Sequence, residues 1–385
     1  MRILFVSSQA LFKESRFGGA KRLYYLAKEL DTHSSLKVIC LDGCHEIQES
    51  APPHWEFAQT LFIPNSSQPQ LSDRLGFLPD VKRTIKDHRA AIRTFIGSEA
   101  FDAIVLAFPA ALRFIGDGLL SPAQKVIYIE DDLLLEQWRN RQANASTLWR
   151  KVIATFRLRH AFQYYKQALR AVTDFACISP QELQIVQSSF PGTSCWLLDY
   201  GLPLEDYPAL PETAGHPTLG FIGNYHHAPN LDAALWLITT LFPAVQKAYS
   251  NARLIVCGTN MTAELQSAAA GNQAIQLLEN VPELASFYRT ITLFVNPIRQ
   301  GRGLRTKLLE AAAFGRPIVS TPLGAEGLES FHIPLFNDAE GLVEALRLYE
   351  SCESRQAASQ KNRALLQANY SVEAITQRML EKIAA

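Results

Sequence analysis

The sequence predicts an α/β protein made of two doubly wound, parallel-sheet domains. Three observations predict it. Short apolar runs of strand length alternate with stretches of helical periodicity, the pattern of strand–helix–strand crossovers in a parallel sheet. The alternation restarts after residues 201–217, where Pro203, Pro208, Pro211 and Pro217 make the richest break in the chain, read here as an interdomain linker. And 385 residues exceed what one hydrophobic core organises.

Composition narrows the class. With 48% hydrophobic and 19% charged residues the chain is a globular enzyme in type, not a disordered one. Lys+Arg and Asp+Glu both total 37, for a formal net charge of +0, so nothing points to nucleic acid as a partner. No apolar run approaches the roughly 18 residues of a membrane span. Residues 1–6 enter a strand at once, without the pattern of a signal peptide. Cys40, Cys177 and Cys257 sit inside apolar runs, where a buried free thiol is expected. Cys40 and Cys44 have no second ligand pair, which argues against zinc. A cytoplasmic protein is expected.

In the first half, residues 2–8 read as a strand and Gly18-Gly19 as the end of a polar loop. Residues 20–30 follow as a helix with Leu23, Leu26, Ala27 and Leu30 inward. Strands are expected at 36–41, 57–63, 103–108 and 125–129, with a helix at 80–96. Ligands of such sheets bind beyond the carboxyl ends of the strands. That places Ser7, Ser8, Gly18-Gly19, Phe108-Pro109 and Glu130-Asp131-Asp132 around one crevice. The acidic trio supplies a base or sugar contacts, or equally caps the next helix. Residues 147–172 read as one long helix, with Arg150, Lys151, Arg157, Arg159, His160, Lys166 and Arg170 among Trp149, Val152, Ile153, Phe156, Phe162, Tyr164 and Tyr165. Such a face suits peripheral attachment to the inner face of an anionic membrane, or is the solvated side of a packed helix. Strands at 175–178 and 195–198 close this half.

The second half repeats the logic. A strand at 218–222, a loop at 223–230 and a helix at 231–248 precede strands at 253–257 and 274–278. A short helix at 283–288 leads to a strand at 291–295. Then comes the stretch of greatest chemical interest, from Gly301-Arg302-Gly303-Leu304-Arg305-Thr306-Lys307 to Glu310 and Gly315. Leu304, Leu308, Ala311, Ala312 and Gly315 share one face at helical spacing, and Thr306, Lys307 and Glu310 another. A helix start offers unpaired N–H groups and a positive dipole end. With Arg302, Arg305 and Lys307 it makes an anion site, and Glu310 one turn behind suits a diphosphate joined to a sugar or ribose. A strand at 316–321, the loop Gly324-Ala325-Glu326-Gly327 and helices at 339–350, 354–368 and 372–383 complete the chain.

Five blocks in order carry a resemblance: Gly220-Phe221-Ile222-Gly223 with Ala228-Pro229-Asn230-Leu231-Asp232-Ala233; Leu254-Ile255-Val256-Cys257-Gly258; Asn296-Pro297 with Gly303 to Ala311; Pro317-Ile318-Val319-Ser320-Thr321; and Gly324-Ala325-Glu326-Gly327-Leu328. Over roughly residues 217–370 the chain resembles the donor domain of glycosyltransferase family 4, whose fold is GT-B, two Rossmann-like domains facing a central cleft. The resemblance implies retaining transfer of a sugar from a nucleotide-diphosphate donor to a glycan or other hydroxyl acceptor, in polysaccharide or glycoconjugate synthesis, with no cofactor and no obligatory metal. It implies an acceptor-side domain at 1–203, a donor domain at 204–370 and a closing helix at 371–385 that crosses back to the first domain.

The same resemblance assigns residues. Glu310 matches the second glutamate of the family's E-x7-E motif, which holds the donor ribose. Gly303 and Leu304 match backbone against the donor phosphates or sugar, and Gly258 and Val281 match loops flanking the base. Beyond the residues that the resemblance assigns, Gly223, Asn224, Arg302 and Thr306 are further donor-side candidates, and Gly18, Gly19 and Asp131 are candidates for the acceptor side. Arg305 and Lys307 are the expected catalytic cations, with Glu310 beside them. Two departures stand out. Arg302 occupies the place of the motif's first glutamate, and Asn224, His226 and His227 fill the loop where relatives carry an arginine and a lysine. Two alternatives follow from these departures and from the fold: a nucleotide-sugar-binding pseudoenzyme or complex subunit, and a sugar-nucleotide epimerase.

Overall fold

The computed structural model describes residues 1–12, 18–41, 57, 59–63, 81–115, 119, 125–131, 133–212, 215, 217–301 and 306–385. The chain divides into two compact units, Met1–Gly201 with Ile375–Ala385, and Leu202–Ala374. Each is an α/β layer structure around an all-parallel sheet.

The first unit holds seven strands: β1 (Arg2–Ser7), β2 (Ser35–Leu41), β3 (Thr60–Ile63), β4 (Ala103–Ala107), β5 (Lys125–Ile129), β6 (Asp174–Cys177) and β7 (Ser194–Leu197). Their order is β3-β2-β1-β4-β5-β6-β7. β1 pairs with β2 from Arg2 opposite Ser35 and with β4 from Ile3 opposite Ala103. Every residue of β4 is buried, as expected of a central strand covered on both faces, which reads as a continuous apolar run. Leu4, Val6, Ile39, Ile104, Leu106, Tyr128 and Phe175 belong to one contiguous core cluster.

Several predicted boundaries move. The first helix runs Gly18–His33, so Gly18-Gly19 opens the helix instead of ending a loop. The expected strand at 57–63 is shorter, and the expected helix at 80–96 is two helices, Val81–Asp87 and Arg89–Ile96, meeting at His88. Asp80 lies outside the described residues. The long helix is Leu148–Ala168, opened by the Thr147 hydroxyl accepting from the Arg150 amide at 3.3 Å and continued as a 3-10 turn over Leu169–Ala171. The helix that the acidic trio is read as able to cap is Leu134–Ala143, and helix Pro180–Ser189 has no counterpart in the sequence reading. At the start of the second, the Glu182 amide donates to the N-cap Ser179 Oγ at 3.2 Å, and the Glu182 carboxylate accepts from the Ile178 amide, one residue before the cap, at 3.1 Å.

The second unit holds β8 (Thr218–Asn224), β9 (Arg253–Thr259), β10 (Ile275–Glu279), β11 (Leu293–Asn296) and β12 (Ile318–Ser320), in the order β10-β9-β8-β11-β12. The helix after β8 spans Ala228–Trp236, widens into a π turn over Leu237–Leu241, and resumes as Phe242–Ala248. Its widened turn precedes Pro243, which has no N–H to give the ladder. Helix Ala263–Ala269 was also not anticipated.

The proline-rich stretch from 202 onward packs on this unit. Leu202 N donates to Tyr370 O at 2.7 Å and Leu210 N to Phe314 O at 3.1 Å. Arg316, almost wholly buried, donates to Tyr288 O and Pro211 O. Glu212 pairs with Arg355. Helices Ala339–Arg347, Cys352–Tyr370 and Val372–Ala384 end the chain. Within the first unit Arg378 reaches Asp199 at 3.1 Å, and Lys125 Nζ donates to Lys382 O at 2.6 Å.

Candidate active site

In the second sheet β8 pairs with β9 on one side and with β11 on the other. The chain order reverses there, and the carboxyl ends of β8 and β11 border the crevice that such a reversal opens. β8 ends at Gly223-Asn224 and β11 at Asn296. Helix Ala228–Trp236 starts beyond the first and helix Thr306–Ala313 beyond the second.

Those two starts are tied by side chains. Lys307 Nζ donates to Asn230 Oδ1 at 2.8 Å and lies 4.7 Å from the centroid of the buried Phe221 ring in β8. Asn230 is oriented for this role, because its Nδ2 donates to Asn224 O at 3.0 Å and so turns its only acceptor toward the ammonium. Asn224 Oδ1 in turn accepts from the His226 amide and from Asn260 Nδ2, each at 3.0 Å. Further along, Arg299 grips Asp232 through Nε and Nη2 at 2.8 and 2.9 Å and stacks 4.8 Å above the Trp236 ring. The hydrogen bonds from Arg299 hold the Asp232 carboxyl below its ordinary pKa, against a smaller opposing effect of burial.

On helix Thr306–Ala313, Leu308, Leu309, Ala311, Ala312 and Ala313 are buried, while Thr306, Lys307 and Glu310 are half-buried. Burial first, then the charge of Glu310, holds the Tyr288 phenol well above its usual pKa. Arg302, Gly303, Leu304 and Arg305 lie outside the described residues.

The loops after β9 and β10 are built on special backbone. Gly258 has φ +152°, and a Cβ there would overlap Gly223 O and come within 2.9 Å of Tyr225 Cε2. Only glycine lets the ends of β8 and β9 approach so closely. Asn260 and Asn280 hold φ of 57° and 55°, a conformation asparagine tolerates better than most side chains. Asn280 N donates to Gly258 O at 2.9 Å, and Met261 N to Glu279 Oε1 at 2.9 Å. Val281, next along, is half-buried. On the other side, fully buried Asn296 donates to Gly324 O at 2.9 Å and to Ser320 Oγ at 3.3 Å. Its Oδ1 has no partner among the described residues.

The structure therefore brings Gly223, Asn224, Gly258 and Lys307 into one bonded constellation with Asn230 and Asn260. Sequence reasoning did not single out Asn230, Asn260, Asn296 or Arg299 as site residues. Asn230 had a readable signal, since a lone amide just inside the Pro-initiated helix after β8 sits where β8 meets its switch-point neighbour.

In the first unit, the three acceptor-side residues are parts of one structural device. Gly18 and Gly19 open the helix whose buried Arg22 forms an ion pair with Asp131. Arg22 Nη1 also donates to Leu198 O at 3.3 Å. Asp131 is thus the counter-charge of a buried guanidinium. Its neighbour Glu130, 1% exposed, accepts from Tyr128 OH at 2.9 Å, from Tyr165 OH, and from the Leu134 amide at 2.9 Å. It caps helix Leu134–Ala143, and burial pushes its pKa up to about 8. Asp132 lies outside the described residues.

Residues 216–350 match the family Glycosyl transferases group 1. The chain is similar to an "Uncharacterized 44.6 kDa protein in cps region" of Klebsiella pneumoniae, 22% identical over 303 residues, 74% of each chain. It is also similar to the phosphatidyl-myo-inositol mannosyltransferase of Mycobacterium leprae, 26% identical over 159 residues, 38% of this chain and 41% of that one. Among solved structures, Anabaena HepE in complex with UDP superposes with a TM-score of 0.66 at 14% identity over 100% of both chains. The same protein with UDP-glucose gives 0.62 at 14% identity over 100% and 99%. At these identities the likeness is one of fold. Residues 216–350 are a group 1 glycosyl transferase domain, and the chain that carries it is a glycosyltransferase of the GT-B fold.

Proposed function

We propose that this glycosyltransferase takes a sugar from a nucleotide-diphosphate donor and passes it, with retention of anomeric configuration as in family 4, to a hydroxyl of a glycan or other acceptor in polysaccharide or glycoconjugate synthesis. The observation that carries the reading is the Asn230–Lys307 contact, which fixes a cation beside the start of a helix at the topological switch point of the second sheet. The departing diphosphate gathers negative charge as the glycosidic bond breaks, and a preorganised cation with helix N–H groups stabilises that charge more than it stabilises the bound donor. Lys307 supplies the ammonium, Arg302 and Arg305 further charge, and Gly303 and Leu304 backbone against the phosphates. Thr306 adds a hydroxyl, and Glu310 one turn on accepts from the ribose hydroxyls. The loops of Gly258 and Val281 flank the base, and Gly223 and Asn224 complete the donor side. No obligatory metal or other cofactor belongs to this reading, because side-chain cations take the counter-charge.

UDP is the first nucleotide to test, since HepE of the same fold is described with UDP and UDP-glucose. Work at the cytoplasmic face of a membrane belongs to the same reading, supported by the exposed basic and apolar helix Leu148–Ala168. The test is a panel of UDP-, GDP- and dTDP-sugars scored by thermal stabilisation, followed by donor turnover. Stabilisation by a sugar nucleotide with release of its nucleoside diphosphate supports transfer, and no response to any donor overturns it. Arg302, standing where the motif has a glutamate, favours one second reading, a donor-binding pseudoenzyme. Tight binding without turnover selects it.

A further inference from the structure

We propose that the outer face of helix Leu148–Ala168, with the cavity beside it, docks on an anionic phospholipid bilayer. This deepens the membrane part of the proposed function by naming the surface and the lipid.

The helix is apolar on two opposite sides. Ala154, Ala161, Tyr164 and Tyr165 are buried in the core of the first unit. At 100° per residue, Leu148, Trp149, Val152, Ile153 and Phe156 project from the other side, and all five are exposed, Trp149 at 72% and Phe156 at 66%. Summed over the whole helix the two sides cancel, which hides the outer one from any single measure of amphipathicity. The core explains the inner side. The outer side stays exposed, with none of these five side chains buried among the described residues.

Charge says what covers it. The 21-residue helix contains Arg150, Lys151, Arg157, Arg159 and Lys166 and no acidic residue, in a chain whose net charge is +0. Aromatic and aliphatic side chains flanked by lysine and arginine are the composition that enters the interface of an anionic membrane. No helix among the described residues is long and apolar enough to cross one, so the contact is interfacial.

A second observation lies beside the first turn. A cavity of about 400 Å³ is lined by Trp138, Arg141, Asn144, Ser146, Arg150 and Ile153, with no carboxylate among its lining residues. Trp138 is 6% exposed, and its Nε1–H has no hydrogen-bond partner among the described residues. Arg141 stacks 4.5 Å above the Trp138 ring, and Arg150 Nη1 lies 3.3 Å from Ser146 Oγ. A buried orphan donor, two guanidiniums, an amide and a hydroxyl form the donor set that a lipid phosphodiester needs. Ile153 both lines the cavity and belongs to the exposed face, so the headgroup and the acyl surface would meet the protein together.

The full-length chain is sedimented with vesicles of phosphatidylcholine alone and with vesicles of phosphatidylcholine and phosphatidylglycerol in equal parts. Binding to the mixed vesicles only is expected. Trp149→Ser with Phe156→Ser should weaken it at least about tenfold, given the apolar area withdrawn from the interface. Arg141→Gln with Arg150→Gln should weaken it about fivefold per residue, the usual effect of one basic group at an anionic surface. Unchanged melting temperatures establish that the variants fold. Three results overturn the proposal: no binding to either vesicle, undiminished binding by the Trp149/Phe156 variant, or a concentration-dependent dimer that this variant abolishes, which would assign the face to a second copy of the chain. Vesicle binding needs no donor, so its failure leaves the sugar-transfer reading standing.

Discussion

Lys307 and Asn230 stand 77 residues apart in the chain and meet at 2.8 Å, joining the helix after β11 to the helix after β8. Because Asn230 Nδ2 is held by Asn224 O, the amide presents its oxygen to the ammonium in one orientation. The contact is therefore a positioning device for a cation, and its removal should change binding more than stability.

Asn230→Ala is expected to weaken UDP binding about tenfold, at the low end of the roughly 1.5–3 kcal/mol of a hydrogen bond to a charged group. Calorimetric titration reads this directly. In a Lys307→Met background the same substitution should add little, since residues acting through one another are not additive. A full further tenfold loss there would show that Asn230 acts on its own.

Gly258 tests the close approach of the ends of β8 and β9. Gly258→Ala places a methyl on Gly223 O at φ +152°, so both sterics and backbone oppose it, and a loss of about 3 kcal/mol or more is expected. Gly271→Ala, at φ +86° with open space around it, should cost only about 1 kcal/mol. Urea unfolding of the two variants checks the difference, and equal losses would contradict it.

Much of this was legible in the sequence. β4 and β5 were readable because strands covered on both faces are unbroken apolar runs. The switch-point strands of the second unit were readable too, with Gly223 and Gly258 punctuating their ends. What escaped notice was polar and local. Helix Leu134–Ala143, legible only as a helix that the acidic trio could cap, and helix Ala263–Ala269 show little apolar periodicity and are set by caps, Glu130 on the Leu134 amide and Thr262 on the Leu265 amide. Asp131 read as a base, a sugar contact or a helix cap because its partner, Arg22, lies 109 residues away. Asn230 left a positional signal just inside the Pro-initiated helix after β8, whereas Asn296 acts through three-dimensional contacts with Ser320 and Gly324 that no spacing rule exposes.

Glu130 predicts a pH dependence. Its folded pKa of about 8 lies above the ordinary 4.5, so the folded state binds the proton more tightly than the unfolded one. Stability from this group is fully present below about pH 4.5 and is lost as pH rises toward 8. Glu130→Gln should flatten that decline in urea unfolding between the two pH values. A wild type that gains stability relative to Glu130→Gln as pH rises would reverse the sign.

The Arg299–Asp232 fork is geometrically good but partly exposed, at 48% and 25%. Asp232→Asn should therefore cost less than about 1 kcal/mol. Because the Asp232 pKa is lowered, the pair's contribution is present above the ordinary carboxylate pKa and is lost as pH falls through the folded value. Thermal melts of wild type and variant should converge on acidification. A gap that widens instead would contradict the assignment.

In the proposed reading the start of helix Thr306–Ala313 holds the donor diphosphate, with Lys307 as its cation. Calorimetric titration of UDP into the wild type and into Lys307→Met tests this. Loss of an ion contact to a diphosphate should weaken binding about a hundredfold or abolish it, with the melting temperature of the free variant near that of the wild type. Equal UDP affinity in the two proteins would contradict the claim.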